Sequence, residues 1–243
     1  MRPRIKVFFR QAPVPAIFTL LSALFFLFFF YLVTAYAVEP YYFEGLGFLL
    51  PFMCYGILHK VTARKLIKKT TSNAISFVMA LILSIPMVFL FLILSVHSAT
   101  TEYNNPKFYE RILKVNGYPQ NYKIEHFPST IPEDAKNILF HYNPAFLQGG
   151  EIFSLRFKAG STDLAAYEKE FLKSGKTLDP SDYDNNFFEN MISYTGYNIL
   201  PEDFTIYVFS STSYKQGDWN HGRVNLSAIS TLRREIIFYS HNW

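Results

Sequence analysis

Charge is what the first part of this chain lacks. Only Glu39 and Glu44 of its 19 acidic residues, and nine of its 23 Lys and Arg residues, lie before position 97. Cysteine is almost absent: Cys54 stands alone inside an apolar run, so residues 97–243 have no disulfide framework. Complete catalytic signatures are absent as well. There is no GxSxG elbow and no HExxH, and no two of His59, His97, His126, His141, His221 and His241 stand four apart. No metal site, cofactor or catalytic residue is therefore nominated.

Partial motifs fail on context. Ser174–Thr177 reads SGKT, the tail of a phosphate-binding loop, but Glu170 occupies the position of the first glycine and a helical pattern precedes it. This reads as a helix stop. Asp182, Asp184 and Asn186 alternate like the start of a calcium loop, but Phe187 and Ser193 stand where its Gly and Glu belong. Acids there suit the positive end of a helix.

What the first 96 residues do contain is apolar length. Val14–Val38 and Ala74–Val96 are uncharged, and each exceeds the roughly 20 residues of helix that cross a bilayer. Tyr41–His59 is weaker, since it holds Glu44 and Pro51. Charge placement resolves it. Arg2, Arg4, Lys6 and Arg10 precede the first run, and Lys60, Arg64, Lys65, Lys68 and Lys69 follow the second, with no acid in either cluster. Basic residues flanking spans stay on the cytoplasmic side, so the chain must cross twice between the clusters. The expectation is a three-helix transmembrane unit over 1–96, with spans at about 14–38, 41–59 and 74–96 and a basic cytoplasmic loop at 60–69. Residues 97–243 are then extracytoplasmic. Ala35–Ala37 has the small-x-small form of a signal-peptide site that would be cut after Ala37, but the run before it is longer than the about 7–15 residues usual for such peptides. Pro51 and Pro86 are expected to kink their spans.

This division also explains the charge. The first 96 residues carry +7 and the remainder −3, so the overall +4 is an average of two faces and does not indicate nucleic-acid binding. The basic loop primarily sets topology and offers charge to anionic headgroups of the lipid bilayer.

Residues 97–243 alternate as strands do. Asn137–Asn143, Ile152–Lys158, Phe204–Ser211, Arg223–Ser230 and Arg234–His241 are predicted strands, with Tyr122–Phe127 as a further one. Pro106–Val115 and Ser161–Gly175 read as helices, the second capped by Thr162 with Leu164, Tyr167, Phe171 and Leu172 on one stripe. A third helix is predicted from Asp179 to Tyr194. The fold class is α+β, a mostly antiparallel sheet with helices on one face.

The eleven-residue connection Thr212–Gly222 exceeds a minimal hairpin turn and carries Tyr214, Lys215, Trp219 and His221, the candidate binding residues. The segments His126–Lys158 and Glu235–Trp243 resemble the extracytoplasmic domains of uncharacterised membrane proteins and lipoproteins of bacilli and related Firmicutes. That resemblance implies a bacterial cell-surface location and no catalytic residues. The chain departs from the lipoprotein form in having three spans and no lipidation cysteine. The leading expectation is a non-enzymatic, membrane-anchored surface domain that binds or senses a partner, such as another membrane or cell-wall protein. The alternatives are an accessory or immunity-type subunit acting through its spans, and an extracytoplasmic hydrolase with a non-standard site.

Overall fold

The computed structural model describes residues 8–147, 150–178, 194–197, 200–212 and 222–242. The chain forms two compact units, Met1–Ser98 and Ala99–Trp243.

The first unit holds three helices long and apolar enough to cross a membrane: α1 (Pro13–Ala35, 23 residues), α2 (Tyr42–Ala63, 22 residues) and α3 (Lys69–Thr100, 32 residues). At about 1.5 Å per residue each reaches or exceeds a hydrocarbon core of about 30 Å. The segment that reads weakest begins with a helical turn at Tyr42–Gly45 and a 3-10 stretch at Leu46–Leu49 before regular helix from Leu50. Pro51 therefore sits in a first helical turn, where its missing N–H has no partner to lose. Pro86 lies inside α3, which continues through it.

Close approach explains the glycines of that irregular start. A Cβ on Gly47 would stand 2.8 Å from Leu90 Cδ2 of α3, and one on Gly45 would stand 3.0 Å from Phe30 Cδ2 of α1. Phe29 of α1, Phe48 of α2 and Phe91 of α3 meet there, with ring centroids 5.4 and 4.9 Å apart. Hydrogen bonds join the helices at the other end. The Thr62 hydroxyl donates to Ser72 Oγ at 2.6 Å, and the Tyr55 hydroxyl donates to the Ser76 carbonyl at 3.3 Å. Side-chain hydrogen bonds of this kind are favoured where water is scarce. Arg10, Lys60, Arg64, Lys65, Lys68 and Lys69 are all exposed.

The second unit is built on six antiparallel strands: β1 (Lys136–Asn143), β2 (Glu151–Lys158), β3 (Lys176–Leu178), β4 (Thr205–Thr212), β5 (Arg223–Ser230) and β6 (Glu235–Asn242). Their order is β1-β2-β6-β5-β4-β3. The last strand thus lies between β2 and β5, pairing with all eight residues of each. Helices α4 (Tyr109–Val115) and α5 (Ser161–Ser174) pack on one face. There Phe153 is fully buried against Phe127, Phe140 and Tyr142, with centroids 4.7, 5.7 and 5.3 Å away. Phe171 of α5 meets Tyr207 and Phe238 at 5.7 and 5.8 Å.

The other face is covered too, which one-sided helical cover does not anticipate. Ile152, Ile206, Val208, Val224, Leu226, Ala228 and Ile237 are buried there beneath Tyr194, Tyr197 and Leu200. Ser154, Asn225, Ser227 and Ser240 are consequently all buried, although alternation reads them as solvent-facing.

Three further expectations change. Tyr122–Phe127 is a chain of turns. Its inward residues, Ile124 and Phe127, are three apart, and the Phe127 amide donates to the Ile124 carbonyl at 3.0 Å, so its period is that of a turn. Helix α5 is capped by the Gly160 backbone, with Thr162 already inside it, and Leu172 is 59% exposed because it lies about 100° around the helix from Phe171. Gly175 ends the helix as expected, but β3 follows immediately. The helix predicted over 179–194 falls outside the described residues except for its end.

Truncating Phe153 to Ala should lower the stability of the Ala99–Trp243 unit by about 3–5 kcal/mol, whereas Leu172→Ala should cost less than about 0.5 kcal/mol. Urea unfolding midpoints measure both, and equal losses would contradict the packing described.

Candidate functional site

Register gathers several connections at one end of the sheet. Glu151, Asn242, Arg223 and Thr212 form a single row across β2, β6, β5 and β4. The β1–β2 connection, the β4–β5 connection and the end of β6 therefore converge there. Tyr214, Lys215, Trp219 and His221 belong to the β4–β5 connection and lie outside the described residues, whereas the strand residues that anchor it are described. On the β1–β2 connection Leu147 is 88% exposed.

Behind this row stands a buried polar ladder on the helical face. Asn225 Nδ2 donates to Ser210 Oγ on β4 at 3.2 Å, and the Ser240 hydroxyl of β6 donates to Asn225 Oδ1 at 2.9 Å. The same Asn225 amide donates to the Tyr122 carbonyl at 3.2 Å, tying the turn segment to the sheet. Tyr122 is thereby placed against Arg223. The guanidinium lies over the Tyr122 ring at 5.0 Å, and Nη1 donates to the Tyr122 hydroxyl oxygen at 3.0 Å. Lys123, next in sequence, pairs with Glu151 at 3.2 Å.

Two donors in this row are left over. Arg223 Nε and Asn242 Nδ2 are both inaccessible to solvent and have no hydrogen-bond partner. Arg223 and Asn242 are directly opposite one another across β5 and β6. Among the described residues no carboxylate pairs with Arg223. An unanswered buried donor costs about 1–3 kcal/mol, more when charged, so the arrangement suits an acceptor supplied from elsewhere.

The opposite end of the sheet is balanced. Glu235, buried at the start of β6, accepts from the Tyr197 hydroxyl and lies 3.6 Å from Lys158 Nζ. Arg233 Nε donates to Asp203 at 3.0 Å, and Ser230 donates to the same carboxylate. The hydrogen bonds and the Arg233 charge hold the Asp203 carboxyl below its ordinary range.

The histidines divide between the faces. His126 lies on the helical face, stacked on Phe209 at 4.8 Å, with Nε2 donating to the Tyr239 carbonyl at 3.2 Å. His141 and His241 lie on the other face. His141 Nδ1 is 2.6 Å from Asn104 Oδ1, and its ring stacks on Tyr194 at 4.5 Å. Among the described residues no three His, Cys, Asp or Glu side chains converge as metal ligands. The Tyr239 hydroxyl is buried without a partner on the same face as His141, two strands away. Burial holds His126 at about 3 and His241 at about 4, and it lowers His141 as well.

The residues missed from sequence are Arg223, Asn242, Asn225 and Tyr122. Arg223 and Asn225 carry a visible signal, two polar residues at alternate positions of a strand, but alternation alone assigns them to solvent. Asn242 and Tyr122 carry none, because the β5–β6 pairing and the turn over 117–128 bring them in from 19 and 101 positions away in sequence. No family model, curated protein or solved structure matches the chain.

The histidine environments set a pH dependence. A histidine depressed below its ordinary 6.5 binds protons more weakly folded than unfolded, so its contribution is complete above about pH 6.5 and is lost as pH falls toward the folded value. His126 alone should remove about 2 kcal/mol from the Ala99–Trp243 unit between pH 7.5 and 5. Urea unfolding at the two pH values measures this. His126→Asn should flatten the dependence, and an unchanged slope in that variant would contradict the assignment.

Proposed function

We propose that the chain is a membrane-anchored surface protein whose second unit binds a partner, with binding rather than catalysis as its role. The three apolar helices form the anchor, inserted with the N-terminus and the basic loop in the cytoplasm and residues 97–243 outside, as the positive-inside rule directs. A bacterial cell membrane accords with an outer unit free of cysteine.

One observation carries the binding reading: the imbalance between the two ends of the sheet. The buried charge at one end is answered within the unit, while Arg223 and Asn242 at the other hold buried, unanswered donors in the row from which two connections leave the sheet. Rigid strands hold these donors, and the connections beside them vary at little cost to the fold, a division of labour common to binding domains. The partner contacts this loop end through Arg223, Asn242, Tyr122 and the exposed tip at Leu147.

A photo-crosslinking amino acid placed at Leu147 or Tyr122 in intact cells should give a discrete protein adduct, and one at Leu232, which is 80% exposed at the opposite end of the sheet, should give none. Adducts arising solely from an α3 position such as Leu81 would instead support the accessory-subunit reading, in which the spans make the contact.

A further inference from the structure

We propose that the loop end of the sheet recognises a carboxylate, held by the Nε edge of the Arg223 guanidinium together with the Asn242 side-chain amide. The inference rests on the reading of this end as the contact surface and names the chemical group it takes.

Geometry supports it first. Arginine offers its donors in a planar fork, and the edge carrying Nε and one terminal nitrogen matches the two oxygens of a carboxylate. In Arg223 the other terminal nitrogen, Nη1, is already engaged by the Tyr122 hydroxyl at 3.0 Å, and the plane is held over the Tyr122 ring. Nε, on the other edge, is buried without a partner. Asn242 Nδ2, opposite Arg223 in the β5–β6 register, adds a third N–H from the same face of the sheet.

Electrostatics supports it second. Among the described residues Glu151, one strand beyond Asn242 in the same row, is the nearest acid by register, and its carboxylate is tied to Lys123 at 3.2 Å. It neutralises Lys123 and leaves the Arg223 charge uncompensated among the described residues. Preorganisation supports it third. Asn225 bonds to Ser210, Ser240 and Tyr122, so the platform under the guanidinium is fixed before any ligand arrives. Both donors are closed to solvent in the unliganded unit, so the incoming carboxylate displaces what covers them while this platform stays in place. A neutral acceptor would answer the donors but not the charge, and a charged acceptor in this setting forms roughly twice as strong a hydrogen bond.

The test uses the full chain in detergent micelles, with its thermal unfolding midpoint followed in sodium acetate against sodium chloride at equal ionic strength. Acetate at about ten times its dissociation constant should raise the midpoint by about 3 °C or more. Arg223→Gln and Asn242→Ala should each reduce that response at least tenfold in apparent affinity, and Arg223→Lys, which keeps the charge and loses the fork, should also weaken it. Asn242→Asp is the decisive variant: an internal carboxylate opposite Arg223 should raise the midpoint without ligand and cancel the acetate response. A Glu-containing hexapeptide and its Gln counterpart distinguish the source. A stronger response to the Glu peptide than to acetate assigns a partner protein, and equal responses assign a small free carboxylate. Equal acetate responses in the native chain and Arg223→Gln would overturn the proposal, as would Asn242→Asp lowering the midpoint while leaving the response intact. Loss of the acetate response in the native chain with crosslinks at Leu147 retained would remove the carboxylate and leave the contact surface standing.

Discussion

The second unit depends on the position of its last strand. β6 is hydrogen-bonded to β2 on one side and β5 on the other, and its first six residues are buried. Without it the sheet would fall into a β1–β2 hairpin and a β3–β4–β5 meander with no ladder between them. Pairings of such wide sequence separation are costly to close, and they are rewarded only when both faces are then covered. Phe238 does this on the helical face, beside Phe127, Phe157 and Phe171. Ile237 and Tyr239 do it on the other.

Burial of both faces has a chemical consequence. Polar residues of the central strands cannot turn to water, so most find a partner within the unit, although Ser227 Oγ in the middle of β5 does not. Asn225 does so three times over, and Glu235 is answered by Tyr197 and Lys158. Arg223 and Asn242 stand in the terminal row, where the ladder ends, and there the supply of acceptors runs out. These donors lie at the rim of the sheet but are closed to solvent, so an incoming group has to displace what covers them. The unanswered Tyr239 hydroxyl lies deeper, in the middle row of the opposite face.

Much of this architecture was legible in the sequence. The strands β1, β2, β4, β5 and β6 fall within one residue of the alternating runs that predict them, because edge-to-centre pleating imposes a period of two wherever one face is more apolar than the other. The apolar helices were legible for a simpler reason, since length and lack of charge suffice. Three residues of β3 are too few to show a period. Tyr122–Phe127 misleads because Tyr122 and Ile124 alternate with Lys123 and Glu125, and only Phe127, three residues after Ile124, departs from that period. Strand order was not legible, and neither, therefore, was the row that places Asn242 beside Arg223. The sequence pointed to the β4–β5 connection through Tyr214, Lys215, Trp219 and His221, while the described geometry draws attention to the strand residue that closes it, Arg223.

In the proposed topology an anchor of three spans presents the sheet unit outside the cell while the basic loop stays within. Single cysteines placed in a Cys54→Ser background test it directly, at Leu232 in the β5–β6 turn and at Leu66 in the basic loop, which are 80% and 71% exposed. A membrane-impermeant maleimide added to intact cells should label Leu232→Cys and spare Leu66→Cys until the membrane is permeabilised. Labelling of Leu66→Cys in intact cells with Leu232→Cys protected would contradict the account.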